Sequence, residues 1–208
     1  MSEAYEILGI STDVPIAVNY FREYEPEYRS VFSNISNGLL GFPLKVVIHY
    51  SKGILNNGSH FIRYISNLMG GFTKLKIIDQ GPVCEKDDPE PDVHITFNQG
   101  TAFLIAHDEE NYSHYEMEVI GPKGRIRFSN MGNIIKYWRV VNDPVFNGYR
   151  ILSDCPAQFL PDTKKYQMHV YNNLYDYLEG RAELYCDAQS MGRTIDIYKS
   201  IKKELRNA

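Results

Sequence analysis

No stretch of this sequence is apolar for long enough to span a bilayer, and no apolar run follows Met1 to act as a signal peptide. Both omissions point to the cytoplasm. Cysteine occurs three times, at Cys84, Cys155 and Cys186, and tryptophan once. Three widely spaced cysteines argue against a disulfide framework and suit reduced thiols. Lys and Arg form no dense block, and 22 basic against 26 acidic residues give a formal net charge of -4. That balance provides no electrostatic footprint for nucleic acid. Several catalytic signatures are missing too. Without Gly-x-Gly-x-x-Gly there is no dinucleotide site of the usual kind, so no cofactor is expected on this chain. Without Gly-x-Ser-x-Gly there is no serine-hydrolase elbow. His-Glu-x-x-His and paired Cys-x-x-Cys are absent, and His49, His60, His94, His107, His114 and His169 are too scattered to argue for a metal.

What remains is an ordinary globular composition, 43% hydrophobic and 23% charged over 208 residues, enough for one large domain with a proper core. Sixteen tyrosines and ten phenylalanines stand out. An apolar ring with a polar tip suits sugar stacking or a subunit interface, and an aromatic-rich sheet core accounts for it equally well.

The pattern centres on residues 44–70. Leu44, Val46, Ile48 and Tyr50 alternate with Lys45, Val47 and His49, which predicts a half-buried strand. Phe61, Ile65 and Leu68 then fall at helical spacing, and Gly70-Gly71 ends that helix. Between them, either Asn56 or Asn57 suits the helix cap. His60 falls in the first turn, on the face of Tyr64 and Asn67, where a polar face can line a cleft. A helix N-terminus attracts anions and tends to hold a nearby imidazole neutral. A neutral imidazole can take a proton from a hydroxyl. Asn56 lies four residues earlier, close enough to orient it, and Lys52 adds a cation at the loop entrance. The competing reading is a plain cap and a solvated surface histidine.

Around this centre, residues 3–8 are helix-prone and Ile16 to Phe21 reads as a strand. A helix follows Pro26, and the acidic run Glu85 to Asp92, broken by Pro89 and Pro91, reads as a surface loop. Close-set alternating segments from Val93 to Val141 predict a largely antiparallel sheet. The last third returns to helix, with Tyr166, Val170, Leu174 and Tyr177 on one face and a longer helix capped by Asp187. The fold class is α+β, a large mostly antiparallel sheet with helices packed on one face.

The strand, the stretch Tyr50-Ser51-Lys52-Gly53-Ile54-Leu55-Asn56-Asn57-Gly58-Ser59-His60-Phe61-Ile62 and a helix ending Leu68-Met69-Gly70-Gly71 resemble the catalytic-helix region of the Gfo/Idh/MocA family. Its members are glucose–fructose oxidoreductase and inositol dehydrogenase-like enzymes, nicotinamide-dependent. Val18-Asn19-Tyr20-Phe21-Arg22-Glu23-Tyr24-Glu25-Pro26 is similar to the Arg-Arg-Tyr-x-Pro stretch that opens their second domain. Asn173 to Gly180 and the helix after Asp187 resemble their C-terminal helix pair. The resemblance implies that residues 14–208 are the family's C-terminal domain, and residues 1–13 a remnant of the last helix of a nucleotide-binding domain.

It also implies that His60 is the acid/base and Asn56 its neighbour, with Lys52, Tyr20 and Arg22 as substrate contacts. The ligand would be a sugar or sugar nucleotide, and NAD(P) is implied for a complete enzyme. A homo-oligomer through the open sheet face is implied as well. The chain departs from the family at Asn56, where an Asp stands four residues before the catalytic His, and at Arg63, where an Asp stands three after it. It departs again at Glu23, the second Arg of the Arg-Arg-Tyr stretch. The Glu-Lys-Pro motif and the nucleotide-binding domain do not occur in these 208 residues, so dehydrogenation by the chain alone is not expected. Two alternatives stand beside a ligand-binding domain: a split dehydrogenase completed by a separate nucleotide-binding subunit, and a non-catalytic scaffold.

Overall fold

The computed structural model describes residues 15–84 and 88–207. The elements expected within residues 1–13 lie outside them. The described residues hold four α-helices, α1 (Pro26–Ser36), α2 (Gly58–Met69), α3 (Tyr166–Leu178) and α4 (Gly192–Asn207), of which α1, α2 and α4 pack on one face of a large sheet. The strands are β1 (Leu44–Tyr50), β2 (Phe72–Asp79), β3 (Val83–Cys84), β4 (Asp88–Pro89), β5 (Asp92–Phe97), β6 (Gly100–Ala106), β7 (Tyr115–Gly121), β8 (Gly124–Ser129), β9 (Ile134–Asn142), β10 (Arg150–Leu152) and β11 (Ala157–Phe159).

Nine of them form the main sheet, ordered β10-β9-β8-β7-β1-β6-β5-β2, with β11 also on β9. Every pairing is antiparallel except β1 with β6, where Val46 meets Ala102. Short connections join the antiparallel pairs β5–β6, β7–β8 and β8–β9, whereas β1, separated from β6 by a helix and four strands, enters the middle of the sheet parallel to β6 and antiparallel to β7. The expected fold class is the observed one.

Period-two alternation puts one set of side chains under the helices. Leu44, Val46, Ile48 and Tyr50 of β1 are fully buried, as are Val93, Ile95, Leu104 and Val119. Against them lie Tyr28, Val31 and Ile35 of α1, Phe61, Ile62 and Ile65 of α2, and Ile197, Tyr198 and Ile201 of α4. Truncating Ile65 to Ala would cost about 2–5 kcal/mol in lost transfer energy and cavity formation. A smaller cluster, Tyr24, Val170, Cys186 and Met191, ties α3 and the C-terminal segment to the start of the domain. The other sheet face has no helix among the described residues, and Phe103 and Ile120 are exposed on it.

Two local expectations differ from the structure. Residues 16–21 form no strand of the sheet. They run extended along the C-terminal segment, with an isolated bridge from Ala17 to Asp187, and close in a 3-10 turn, Phe21–Glu23. The alternation there reflects docking on Cys186 and Ala188, which exchange backbone hydrogen bonds with Val18 and Ile16. The acidic run after Cys84 is not a free surface loop either, because Asp88 and Glu90 are buried.

Candidate active site

His60 is placed by the junction of β1 and α2. After Tyr50 the chain turns through Lys52 in the left-handed region (φ 66°) into a π-helical turn, Gly53–Asn57, that runs straight into α2. Left-handed backbone disfavours a β-carbon, so the glycine that follows, Gly53 (φ 84°), fits both its torsion and its crowding. A side chain at position 53 would collide with the Asp88 carboxylate.

That carboxylate is the cap that sequence assigned to Asn56 or Asn57. Neither Asn caps the helix through its side chain; instead Asp88 accepts from the backbone N–H of Leu55 (2.9 Å) and Asn56 (3.1 Å). Glu90 accepts from Gly53 N–H at 2.9 Å. The end of α2 expected to attract an anion therefore already holds two of the chain's own. An acidic run broken by prolines gives no sign, in sequence, of which backbone donors it returns to.

The side chain of His60 points away from this turn into a ring of aromatics. Tyr20 lies 4.6 Å from it, Phe21 5.9 Å and Tyr115 6.3 Å, ring centre to ring centre, all edge-on. Arg22 is sandwiched in the same cluster, its guanidinium carbon 3.6 Å from the Tyr115 ring centre and 4.4 Å from that of Phe21. Burial, and secondarily the Arg22 charge, push the imidazole down to about 4, so His60 is neutral at ordinary pH. A half-buried neutral imidazole keeps a lone pair able to take a proton from a hydroxyl.

The cluster is polar and incompletely satisfied. Arg22 is 8% exposed and donates from Nη2 to the Met131 carbonyl at 3.2 Å. Among the described residues no carboxylate pairs with it. Arg22 Nε, His60 Nδ1, Tyr64 OH and Tyr115 OH are all buried without a hydrogen-bond partner. Buried polar atoms are nearly always satisfied in folded proteins, and each exception carries a desolvation cost. Three of these atoms belong to residues packed together around the imidazole, His60 itself, Arg22 and Tyr115.

Beside the cluster, the two charge departures from the family pattern meet. Arg63 Nε donates to Glu23 at 2.9 Å, both side chains nearly buried, and the same guanidinium reaches Ser190 through Nη1 and Nη2. A reversal at one position is thus matched by a reversal at the other. Burial raises the Glu23 carboxyl even so, Arg63 opposing it.

Of the residues singled out by sequence, Tyr20, Arg22 and His60 come together. Asn56 is exposed, its carbonyl accepting from Ser59 Oγ, and Lys52 pairs with Glu109 at 3.0 Å. Phe21, Tyr115, Asp88 and Glu90 were not foreseen. Phe21 was visible beside Arg22, whereas Tyr115 joins from a strand 55 positions beyond His60 and only pairing with β1 brings it there. An apolar groove of about 430 Å³ adjoins the cluster, lined by Tyr20, Leu55, Ser59, Ile62, Ile195 and Tyr198 among others.

No protein-family model matches the sequence, and no curated protein matches it. Solved structures do match. An oxidoreductase from Sinorhizobium meliloti superposes with TM-score 0.69 at 13% identity, covering 99% of this chain and 67% of that one. UDP-N-acetylglucosamine 3-dehydrogenase GnnA from Acidithiobacillus ferrooxidans gives 0.71 at 10%, covering 98% and 66%. The WlbA dehydrogenase from Bordetella pertussis, solved with NADH and UDP-GlcNAcA, gives 0.71 at 12%, covering 99% and 66%. The fold is that of the Gfo/Idh/MocA-type oxidoreductases. The chain spans about two thirds of the length of these Gfo/Idh/MocA-type structures, which is consistent with a C-terminal domain.

Proposed function

We propose that this chain is the sugar- or sugar-nucleotide-binding and oligomerisation domain of a nicotinamide-dependent oxidoreductase, with His60 as its proton acceptor. The single observation that carries this reading is the buried, unpartnered polar cluster around a neutral imidazole. The enzymatic neighbours, one of them solved with an acidic sugar nucleotide, support the same substrate class.

In this reading His60 accepts the proton of a substrate hydroxyl, because its lone pair is unprotonated. Arg22 holds a carboxylate or phosphate of the ligand, replacing the missing counter-charge with a charge-assisted hydrogen bond. Tyr20 and Phe21 supply apolar walls for a sugar ring.

The described residues do not fit NAD(P). Its pyrophosphate needs free backbone N–H groups, and those at the start of α2 are already occupied by Asp88 and Glu90, which would repel it. The cofactor, which would take the hydride, belongs on a nucleotide-binding domain, in the same polypeptide or, for a split dehydrogenase, in a separate subunit. The apolar groove beside Tyr20 and Ser59 favours such a neighbour. The uncovered sheet face is where a second copy would pair.

Calorimetry with UDP-GlcNAcA and with UDP-GlcNAc, which keeps the diphosphate but lacks the sugar carboxylate, tests the reading. Saturable binding of the acidic ligand, weakened in both His60→Ala and Arg22→Leu, is expected. Equal binding to both variants would overturn it.

A further inference from the structure

The histidines scattered along the sequence do not stay scattered. On the sheet face opposite His60, three of them meet at the end of β1, where Tyr50 and Ile48 turn inward and His49 turns outward. His49 Nδ1 lies 2.8 Å from Nε2 of His107, which follows β6. The His107 ring is stacked on His114, 4.1 Å between centres and 19° from parallel. Tyr112 packs against His114, 4.0 Å between ring centres. Glu116 of β7 is the cross-strand partner of His49, on the same face. These side chains and Arg127 line a cavity of about 500 Å³.

We propose that His49 and His107, with Glu116 as the third donor, bind a borderline divalent transition metal such as Zn²⁺, Ni²⁺ or Cu²⁺. Among the described residues no three such groups already converge on one point. What stands ready is a pair of ring nitrogens aimed at each other, with a carboxylate beside them. Two imidazole–metal bonds of about 2.0–2.1 Å place their nitrogens about 3–3.4 Å apart, so the present pair has to open by only a few tenths of an ångström. The proton between the rings moves to the other nitrogen of its own imidazole, and no net proton is lost from the pair.

The donor set selects the class of ion. Two imidazoles and one carboxylate suit borderline metals, whereas Mg²⁺ and Ca²⁺ require mostly oxygen. An anion is disfavoured, because Glu116 faces the cavity and already engages Arg127 at 3.3 Å. Burial and the neighbouring His107 hold His49 and His114 below the usual imidazole range, with Glu116 opposing and Arg127 reinforcing this at His49 and with Glu116 and Glu109 opposing it at His114. His114 is stacked flat on His107, so its ring nitrogens cannot reach the same ion. It holds the plane of His107, as outer partners of metal-bound histidines commonly do.

The test is titration of the untagged chain with Zn²⁺ by calorimetry, and with Co²⁺ by visible spectroscopy. One equivalent of saturable binding is expected, and it should weaken as pH falls and the imidazoles protonate. His49→Gln and His107→Gln should each weaken it by at least about tenfold, and Glu116→Gln should weaken it less. His94→Gln, on the same face but stacked on Phe103, should leave it unchanged, and circular dichroism would confirm that each variant folds. Absence of saturable binding, or binding that survives His107→Gln and falls with His94→Gln, would overturn the proposal and leave a plain imidazole–imidazole hydrogen bond.

Discussion

The two ends of the first turn of α2 are finished differently. At the π-helical turn the backbone donors of Gly53, Leu55 and Asn56 are met by buried carboxylates of the same chain. A few ångströms along the helix, His60 sits among Arg22, Tyr64 and Tyr115, each with a buried polar atom left without a partner. Where the chain supplies both halves of an interaction, the interaction holds the fold. Where it supplies one half in a buried place, the proposed function assigns the other half to a ligand.

The largest effect should come from unbalancing the satisfied ion pair beside the cluster. Arg63→Ala leaves Glu23 buried and unpaired and should cost about 3–5 kcal/mol, read as a lower urea midpoint. If the matched reversal is real, Glu23→Arg combined with Arg63→Glu should recover part of that loss. A double variant as unstable as the sum of the singles would show that the two positions are not coupled.

Next comes a pH dependence set by the unsatisfied side. The His60 imidazole is held at about 4 against an ordinary 6.5, so the unfolded chain takes up its proton first as pH falls. Its contribution to stability should be complete above pH ~6.5, fall as pH drops toward ~4 and level off below, about 3 kcal/mol in all. In His60→Phe this part of the acid slope should vanish. An unchanged slope in chemical denaturation across pH 4–7 would place the titrating group elsewhere.

Asp88→Ala should then cost about 1–3 kcal/mol by orphaning N–H groups of the turn, with Asp88→Asn retaining part of that. Arg22→Leu should have the smallest effect on stability, within about 1 kcal/mol and in the stabilising direction, because an apolar side chain removes a buried unpaired charge. Destabilisation as large as that of Arg63→Ala would make Arg22 a structural residue and erase the contrast.

Much of this was legible because it is local. The alternation of β1, the stripe of α2 and the position of His60 in its first turn follow from spacing within some twenty residues, and so did Arg22 beside Tyr20. What escaped is what needs distant pairing. Asp88 returning to a turn some thirty residues earlier carries no periodic signal, and prolines around it resemble any exposed loop. Tyr115 reaches Arg22 only because β7 lies next to β1. The departures at Glu23 and Arg63 look like two losses in sequence and are one ion pair in space.

The central claim is that the His60 cluster awaits a hydroxylated, anionic ligand. The most direct measurement is the ring ¹⁵N shift of His60 by NMR during titration with UDP-GlcNAcA. The account predicts a neutral imidazole in the free chain, a saturable shift as the ligand hydroxyl engages it, and loss of that shift in Arg22→Leu while the fold persists. A His60 signal that titrates like a solvent-exposed histidine and stays unmoved by the ligand at millimolar concentration would contradict it.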